Sequence, residues 1–193
     1  MAETLSTFTL KAADKAPDFV LPDPSGTKHS LQDLTGSNGT LIVFVCNHCP
    51  FVVMLAEELG RFAKRCKEAG IEVVAISSND IEKYPQDGPE KMAEFAAKSG
   101  WDFPYLFDET QEVAKAYGAA CTPDFFLFGA DRGLFYAGQF DDARPKNGVT
   151  PNGADLQLAI DEMLAGEAAP SRQLPSSGCN IKWIEGNEPP YFG

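Results

Sequence analysis

Phe44-Val45-Cys46-Asn47-His48-Cys49-Pro50-Phe51-Val52 sits where one hydrophobic pattern gives way to another. Before it, Thr40 to Val45 is an unbroken β-branched and aromatic run, the mark of a strand buried on both faces of a sheet. After it, Phe51, Leu55, Leu59, Phe62, Ala63 and Cys66 recur at helical spacing until Gly70, a natural helix stop. The two cysteines and the histidine therefore occupy a strand-to-helix turn.

That position has chemical consequences for Cys49. A thiolate at the first turn of a helix faces unpaired backbone N–H groups and the positive end of the helix dipole, so its pKa falls below the free value of ~8.5. Pro50 supports the placement, because proline is favoured at the first helical position. The thiolate is the nucleophile in disulfide exchange and peroxide reduction. On residue types alone, Cys46 and Cys49 read as a redox pair, a metal clip or buried filler at a strand end.

Working outward, Phe19 to Leu21 is a short extended run followed by a Pro-Asp-Pro-Ser-Gly turn, and Ser30 to Leu34 has room for one helical turn. Ile71 to Ser77 reads as a second buried strand, Pro89 to Lys98 as a helix with proline near its start, Pro104 to Phe107 as a short strand, and Glu109 to Tyr117 as a third helix. Cys121 to Phe128 reads as one strand, paired through the turn Ala130 to Gly133 with Gly133 to Gly138. Asp155 to Leu164 reads as the last helix. Alternating strands and helices followed by a hairpin and a helix indicate an α/β fold with a mixed central sheet flanked by helices. The tail from Gly166 is rich in Pro, Ser and Gly but carries Ile181, Trp183, Tyr191 and Phe192. It is expected to be irregular and to lie along the body. The chain then divides into a domain over residues 1–165 and a packed tail over 166–193.

Composition narrows the function classes. A net charge of −12 and the absence of a Lys/Arg cluster argue against nucleic acid and anionic membranes as partners. The N-terminal sequence lacks the basic start and apolar run of a secretion signal, and no apolar stretch approaches the ~20 residues of a membrane span, so a cytoplasmic location is expected. Five cysteines at irregular spacing suit free thiols better than a closed disulfide framework. Cys66, inside a helical pattern, reads as core. Trp101, Trp183 and the Phe125-Phe126 pair read as core or tail anchors.

The order strand, cysteine turn, helix, strand, helix, then Thr122-Pro123 before a β-hairpin and a last helix, resembles the thioredoxin fold. The extension Ala16-Pro17-Asp18-Phe19-Val20-Leu21-Pro22-Asp23-Pro24-Ser25-Gly26 resembles peroxiredoxin-like members, the alkyl hydroperoxide reductase and thiol-specific antioxidant group. The resemblance runs from about Lys15 to Leu164 and implies a thiol-disulfide oxidoreductase or weak thiol peroxidase. It implies that Pro123 is a cis-proline beside the active sulfur. It also sets a register: the family's nucleophile lies five residues after the strand phenylalanine, and counting from Phe44 gives Cys49. On that register thioredoxin's second cysteine falls on Val52, and the threonine that peroxiredoxins keep near the reactive sulfur is replaced by Cys46. The pair is therefore a displaced C-x-x-C, with Cys49 as nucleophile, Cys46 as resolving thiol, and His48, Thr122 and Pro123 completing the expected site. No cofactor is expected. The partners implied are a protein or small-molecule disulfide, or a peroxide, together with a thiol reductant.

Other residues remain open at this level. His48 is a candidate for lowering the Cys49 pKa through a positive imidazole, or for filling the place of the family's tryptophan. Cys121, next to Thr122-Pro123, is a second resolving or metal-binding candidate, equally readable as a small packed residue. Cys179 lies on a tail segment able to fold back across the site and ranks behind Cys46 as a resolving thiol. The alternative function is a copper- or zinc-binding module using Cys46, His48 and Cys49, since soft thiolates suit both metals. Against it, the sequence offers no second Cys/His pair at ligand spacing.

Overall fold

Phe44 stands at the end of a strand that every neighbouring element is built around. The computed structural model describes residues 3–171 and 173–192. In chain order its strands and helices are β1 Glu3–Leu5, β2 Val20–Pro22, β3 Lys28–Ser30, β4 Gly39–Phe44, α1 Pro50–Glu68, β5 Ile71–Ser77, α2 Pro89–Ser99, β6 Tyr105–Phe107, α3 Glu112–Tyr117, β7 Cys121–Thr122, β8 Asp124–Gly129, β9 Leu134–Gly138, α4 Ala154–Leu164 and β10 Ser177–Asn180. Five strands form the main sheet in the order β6-β5-β4-β8-β9. β4, β5 and β6 run parallel, and β8 and β9 add antiparallel on the other side of β4.

The period-two rule explains why β4 reads as uniformly apolar. Leu41, Val43 and Val45 point into one core with α1, α2 and α4, while Ile42 and Phe44 point into a second with α3, the N-terminal extension and the tail. Phe125 and Leu127 of β8 join the first core and Phe126 and Phe128 the second. Trp101 is also core, its indole N–H donating to the Ala56 carbonyl at 2.8 Å. Helix α1 closes where Ala69 N–H returns to the Arg65 and Cys66 carbonyls and Gly70 takes φ 75°, a conformation glycine adopts at little cost.

Three elements differ from the sequence reading. α3 begins at Glu112 rather than Glu109, because the buried Asp108 carboxylate accepts the Ala114 N–H (2.9 Å) and residues up to Gln111 form the turn that brings it there. The run Cys121 to Phe128 is two strands, not one. Pro123 has no N–H to give a ladder, so the chain leaves one sheet after Thr122 and enters another at Asp124. The tail is not wholly irregular: β10 is the middle strand of a three-stranded sheet β1-β10-β7, with Cys179 opposite both Glu3 and Thr122.

The second core holds this tail strand in place through Ile181 and Trp183, both buried. At Gly178 an added Cβ would run into the Thr122 carbonyl oxygen, so glycine lets the strand lie flush on that peptide. Among the described residues no helix is long and apolar enough to cross a membrane. Trp183→Ala is expected to cost about 3–5 kcal/mol, as for other large buried aromatics, in denaturant unfolding followed by circular dichroism. A loss below ~1 kcal/mol would show that the tail is not part of the cooperative core.

Candidate active site

The register that pairs Phe44 of β4 with Asp124 of β8 sets the last residue of one strand beside the first of the other. The turn after β4 carries Cys46 and Cys49. The segment before β8 carries Thr122 and the cis peptide to Pro123. The two meet at sulfur: Cys49 Sγ is 3.1 Å from the Thr122 carbonyl oxygen, and Cys46 Sγ is 3.4 Å from Thr122 Oγ1. Cys49 is the residue preceding helix α1, with Pro50 at the first helical position.

A third sulfur completes the cluster. Cys179 Sγ, on β10, lies 2.9 Å from Cys49 Sγ. All five cysteines are free thiols and all are buried. Cys66 lies in the core of α1, away from the cluster, where burial pushes its thiol up to about 12. Burial likewise holds the Cys121 thiol well above the ordinary range, with the Asp124 carboxylate adding to it, and its S–H points to the Pro123 carbonyl oxygen at 3.5 Å.

Cys49 alone is shifted the other way, down to about 5. The largest cause is the Cys46 S–H directed at its sulfur; the Cys179 S–H and the Val52 and Cys179 N–H groups add to it, together outweighing burial. Val52 is in the first turn of α1, so this includes the helix-end effect expected from the sequence. The two neighbours move up in return. Cys46 is raised well above a free thiol by donating to Cys49, by burial, and by the nearby Asp87 carboxylate. Cys179 is raised to about 12 by burial and by its own hydrogen bond to Cys49. One thiol is thus shifted down and its two neighbours up.

His48 turns toward Asp87 and Tyr84. Its Nδ1 lies 2.7 Å from Asp87 Oδ2, and its ring stacks on Tyr84 at 5.6 Å with an interplanar angle of 3°. The groups that depress Cys49 are thiols and backbone N–H groups, not the imidazole. Asp87, which the sequence reading did not single out, is fully buried and accepts the Asn47 N–H and the Asn79 side-chain N–H, both at 2.8 Å. It thereby fixes the turn that carries both cysteines. Its only sequence trace is a place in the turn-forming run Pro85-Gln86-Asp87-Gly88-Pro89.

The alternative reading, a metal module, named Cys46, His48 and Cys49. Among the described residues the one set of three ligand atoms lying within 4.8 Å of one another is Cys46, His48 and Asp87, so Asp87 stands in place of Cys49. The fit is poor. Two donors bound to one ion at ~2.0–2.1 Å in tetrahedral geometry stand more than 3 Å apart, whereas His48 Nδ1 and Asp87 Oδ2 are in direct contact and the carboxylate already accepts two N–H groups.

Beside Pro123 a small hollow of about 20 Å³ is lined by Phe51, Met54, Phe140, Arg144 and Ser177, among others. Behind Pro123 lies Asp124, a wholly buried carboxyl pushed up to about 7 by burial, against the opposing pull of the Ala120 N–H and the Ser176 and Ser6 hydroxyls. Its Oδ1 has no hydrogen-bond partner.

Comparison with known proteins agrees with this geometry. The profile of the family described as "AhpC/TSA family" matches residues 12–137. The chain is 30% identical over 150 residues to Peroxiredoxin Bcp of Escherichia coli (strain K12), covering 72% of this chain and 90% of that one. It is 32% identical over 127 residues to the thiol-disulfide oxidoreductase ResA of Geobacillus thermodenitrificans (strain NG80-2), covering 62% of this chain and 67% of that one. Among solved structures it is similar to an uncharacterized conserved protein from Geobacillus kaustophilus, with TM-score 0.91 and 46% identity over 95% of this chain and 97% of that one.

Two measurements test the electrostatics. Thiolate ultraviolet absorbance of the reduced protein is expected to rise with a midpoint near pH 5, lost in Cys49→Ser and moved upward in Cys46→Ala; a sole midpoint near the free-thiol value of ~8.5 would contradict the donor cluster. For Asp124 the folded state binds the proton more tightly than the unfolded chain, so stability falls as pH rises from ~3.9 to about 7 and the full cost is present above that. Asp124→Asn is therefore expected to gain stability relative to wild type across that window, measured by thermal unfolding at a series of pH values. A pH-independent difference would show that Asp124 does not titrate there.

Proposed function

The chain belongs to the AhpC/TSA family and is an oxidoreductase of the thioredoxin superfamily, and we propose on that premise that Cys49 is its nucleophile and that disulfides are its preferred substrates. The observation that carries the reading is the place of Cys49 at the start of α1, its sulfur 2.9 Å from that of Cys179 and its thiol alone shifted down. A thiol shifted to about 5 is almost wholly thiolate at neutral pH, which is the form that attacks.

In this reading Cys49 attacks one sulfur of a substrate disulfide, the S–S bond breaks, and the departing thiolate carries away the electron pair. Cys46 then closes onto Cys49, giving its proton to the leaving group and forming an intrachain disulfide that an external thiol reductant reopens. Thr122 contacts both cysteines, its carbonyl accepting the S–H of the un-ionised Cys49 and its hydroxyl meeting the Cys46 sulfur. Pro123 borders a small hollow beside the cysteine pair. His48 acts with Asp87 to hold the turn rather than to charge the nucleophile. Residues 1–165 form the redox domain, with 166–193 as its tail, and a cytoplasmic location would supply the reductant that keeps the thiols open.

Peroxide is the poorer substrate on the same grounds. Breaking an O–O bond needs donors placed for the charge that develops on oxygen, each worth roughly 10²–10³ in rate when preorganised. The side chains aimed at the Cys49 sulfur are thiols, which are weak donors. Disulfide attack depends more on thiolate character. The expected outcome is measurable reduction of insulin disulfides, reduced to background in Cys49→Ser, with hydrogen peroxide oxidising Cys49 far below ~10⁷ M⁻¹s⁻¹ in stopped flow. A peroxide rate at that level with no insulin reduction would reverse the assignment of substrates.

A further inference from the structure

Cys179 is 130 residues from Cys49 in the chain, yet their sulfurs stand 2.9 Å apart. A disulfide of ~2.0 Å would need the two to close by roughly 0.9 Å. The approach is built into the fold. β10 is held on both sides by ladders in which Cys179 faces Glu3 and Thr122, and Gly178 lies flush on the Thr122 carbonyl. The buried Ile181 and Trp183 anchor the strand immediately beyond it.

We propose that Cys179 is a third redox-active thiol of this centre, competing with Cys46 for the Cys49 sulfur, so that the enzyme has two alternative intrachain disulfides sharing one atom. The proposal rests on Cys49 being the nucleophile. Once Cys49 holds a substrate thiol as a mixed disulfide, the Cys179 sulfur attacks the Cys49 sulfur, the bond to the substrate breaks, and the departing thiolate takes up the Cys179 proton. The same attack on a Cys46–Cys49 disulfide exchanges one S–S bond for another and returns Cys46 as a thiol, with no net oxidation or reduction.

The surroundings favour Cys179 as attacker. The Asp87 carboxylate faces Cys46 and opposes its ionisation, while the Lys182 ammonium lies near Cys179 and favours it. The Lys182 side chain is fixed by hydrogen bonds from Nζ to the Asn180 carbonyl (2.9 Å) and Oδ1 (2.7 Å). The product would also fasten the tail strand to the start of α1, a link that the Cys46–Cys49 disulfide does not make.

The test is a single addition of one equivalent of Ellman's disulfide reagent to the reduced, folded protein, with release of the coloured thiolate counted and crosslinked peptides mapped by mass. Cys46→Ser is expected to release two thiolates per reagent and to yield a Cys49–Cys179 peptide pair, and wild type to contain that pair as well. Cys179→Ser and Cys179→Ala should also release two, through Cys46 alone. If Cys46→Ser releases one thiolate and keeps a lasting mixed disulfide on Cys49, or crosslinks Cys49 to Cys121, Cys179 is not a resolving thiol, and the reading of Cys49 as nucleophile still stands. If Cys49 is unmodified in every protein, that reading fails first and this one with it.

Discussion

The pairing of Phe44 with Asp124 at the centre of the sheet is the constraint from which the site follows. It places the end of a parallel strand beside the start of an antiparallel one, so the cysteine turn leaving β4 and the Thr122–Pro123 segment entering β8 come to the same edge. Neither segment can shift alone. β4 is buried on both faces, and slipping it by one residue would exchange its two hydrophobic sets between the two cores. The packing that stabilises the domain is therefore the packing that sets Cys49 3.1 Å from the Thr122 carbonyl.

Five thiols in one chain acquire four kinds of environment from that frame. Cys66 is surrounded by core and stays protonated, as does Cys121 beside a buried carboxyl. Cys46 and Cys179 are protonated donors whose hydrogen bonds gain from the charge on their common neighbour. Only Cys49 combines a helix start with a thiol shifted downward. The asymmetry arises from placement, since the residue type is the same at every position, and the buried Asp87 sharpens it by disfavouring charge on Cys46 while holding the Asn47 N–H and abutting His48.

Much of this was legible in the sequence because it was written in local patterns. The β-branched run Thr40–Val45, the helical recurrence from Phe51 to Cys66 and the proline after Cys49 each act within a few residues, so strand, helix and the placement of Cys49 could be read directly. The Thr122–Pro123 pair was legible through family resemblance, and its bond is cis. What escaped reading depended on distant contacts. Asp87 looks like a turn residue until the fold buries it under the cysteine loop, and Cys179 sits in a segment whose Ser, Gly and Pro content resembles a linker. β10 becomes a strand because β1 and β7 supply partners from distant parts of the chain, a pairing with no periodic signature over four residues.

The central claim is that Cys49 carries the reactive sulfur without needing its neighbouring thiols. It is tested most directly by trapping: the doubly substituted protein Cys46→Ser, Cys179→Ser is treated with a small aromatic disulfide, and the adduct is located by peptide mass mapping. With both neighbouring thiols removed, the account predicts one stable mixed disulfide, on Cys49. An adduct on Cys121 or Cys66 with Cys49 unmodified would contradict it.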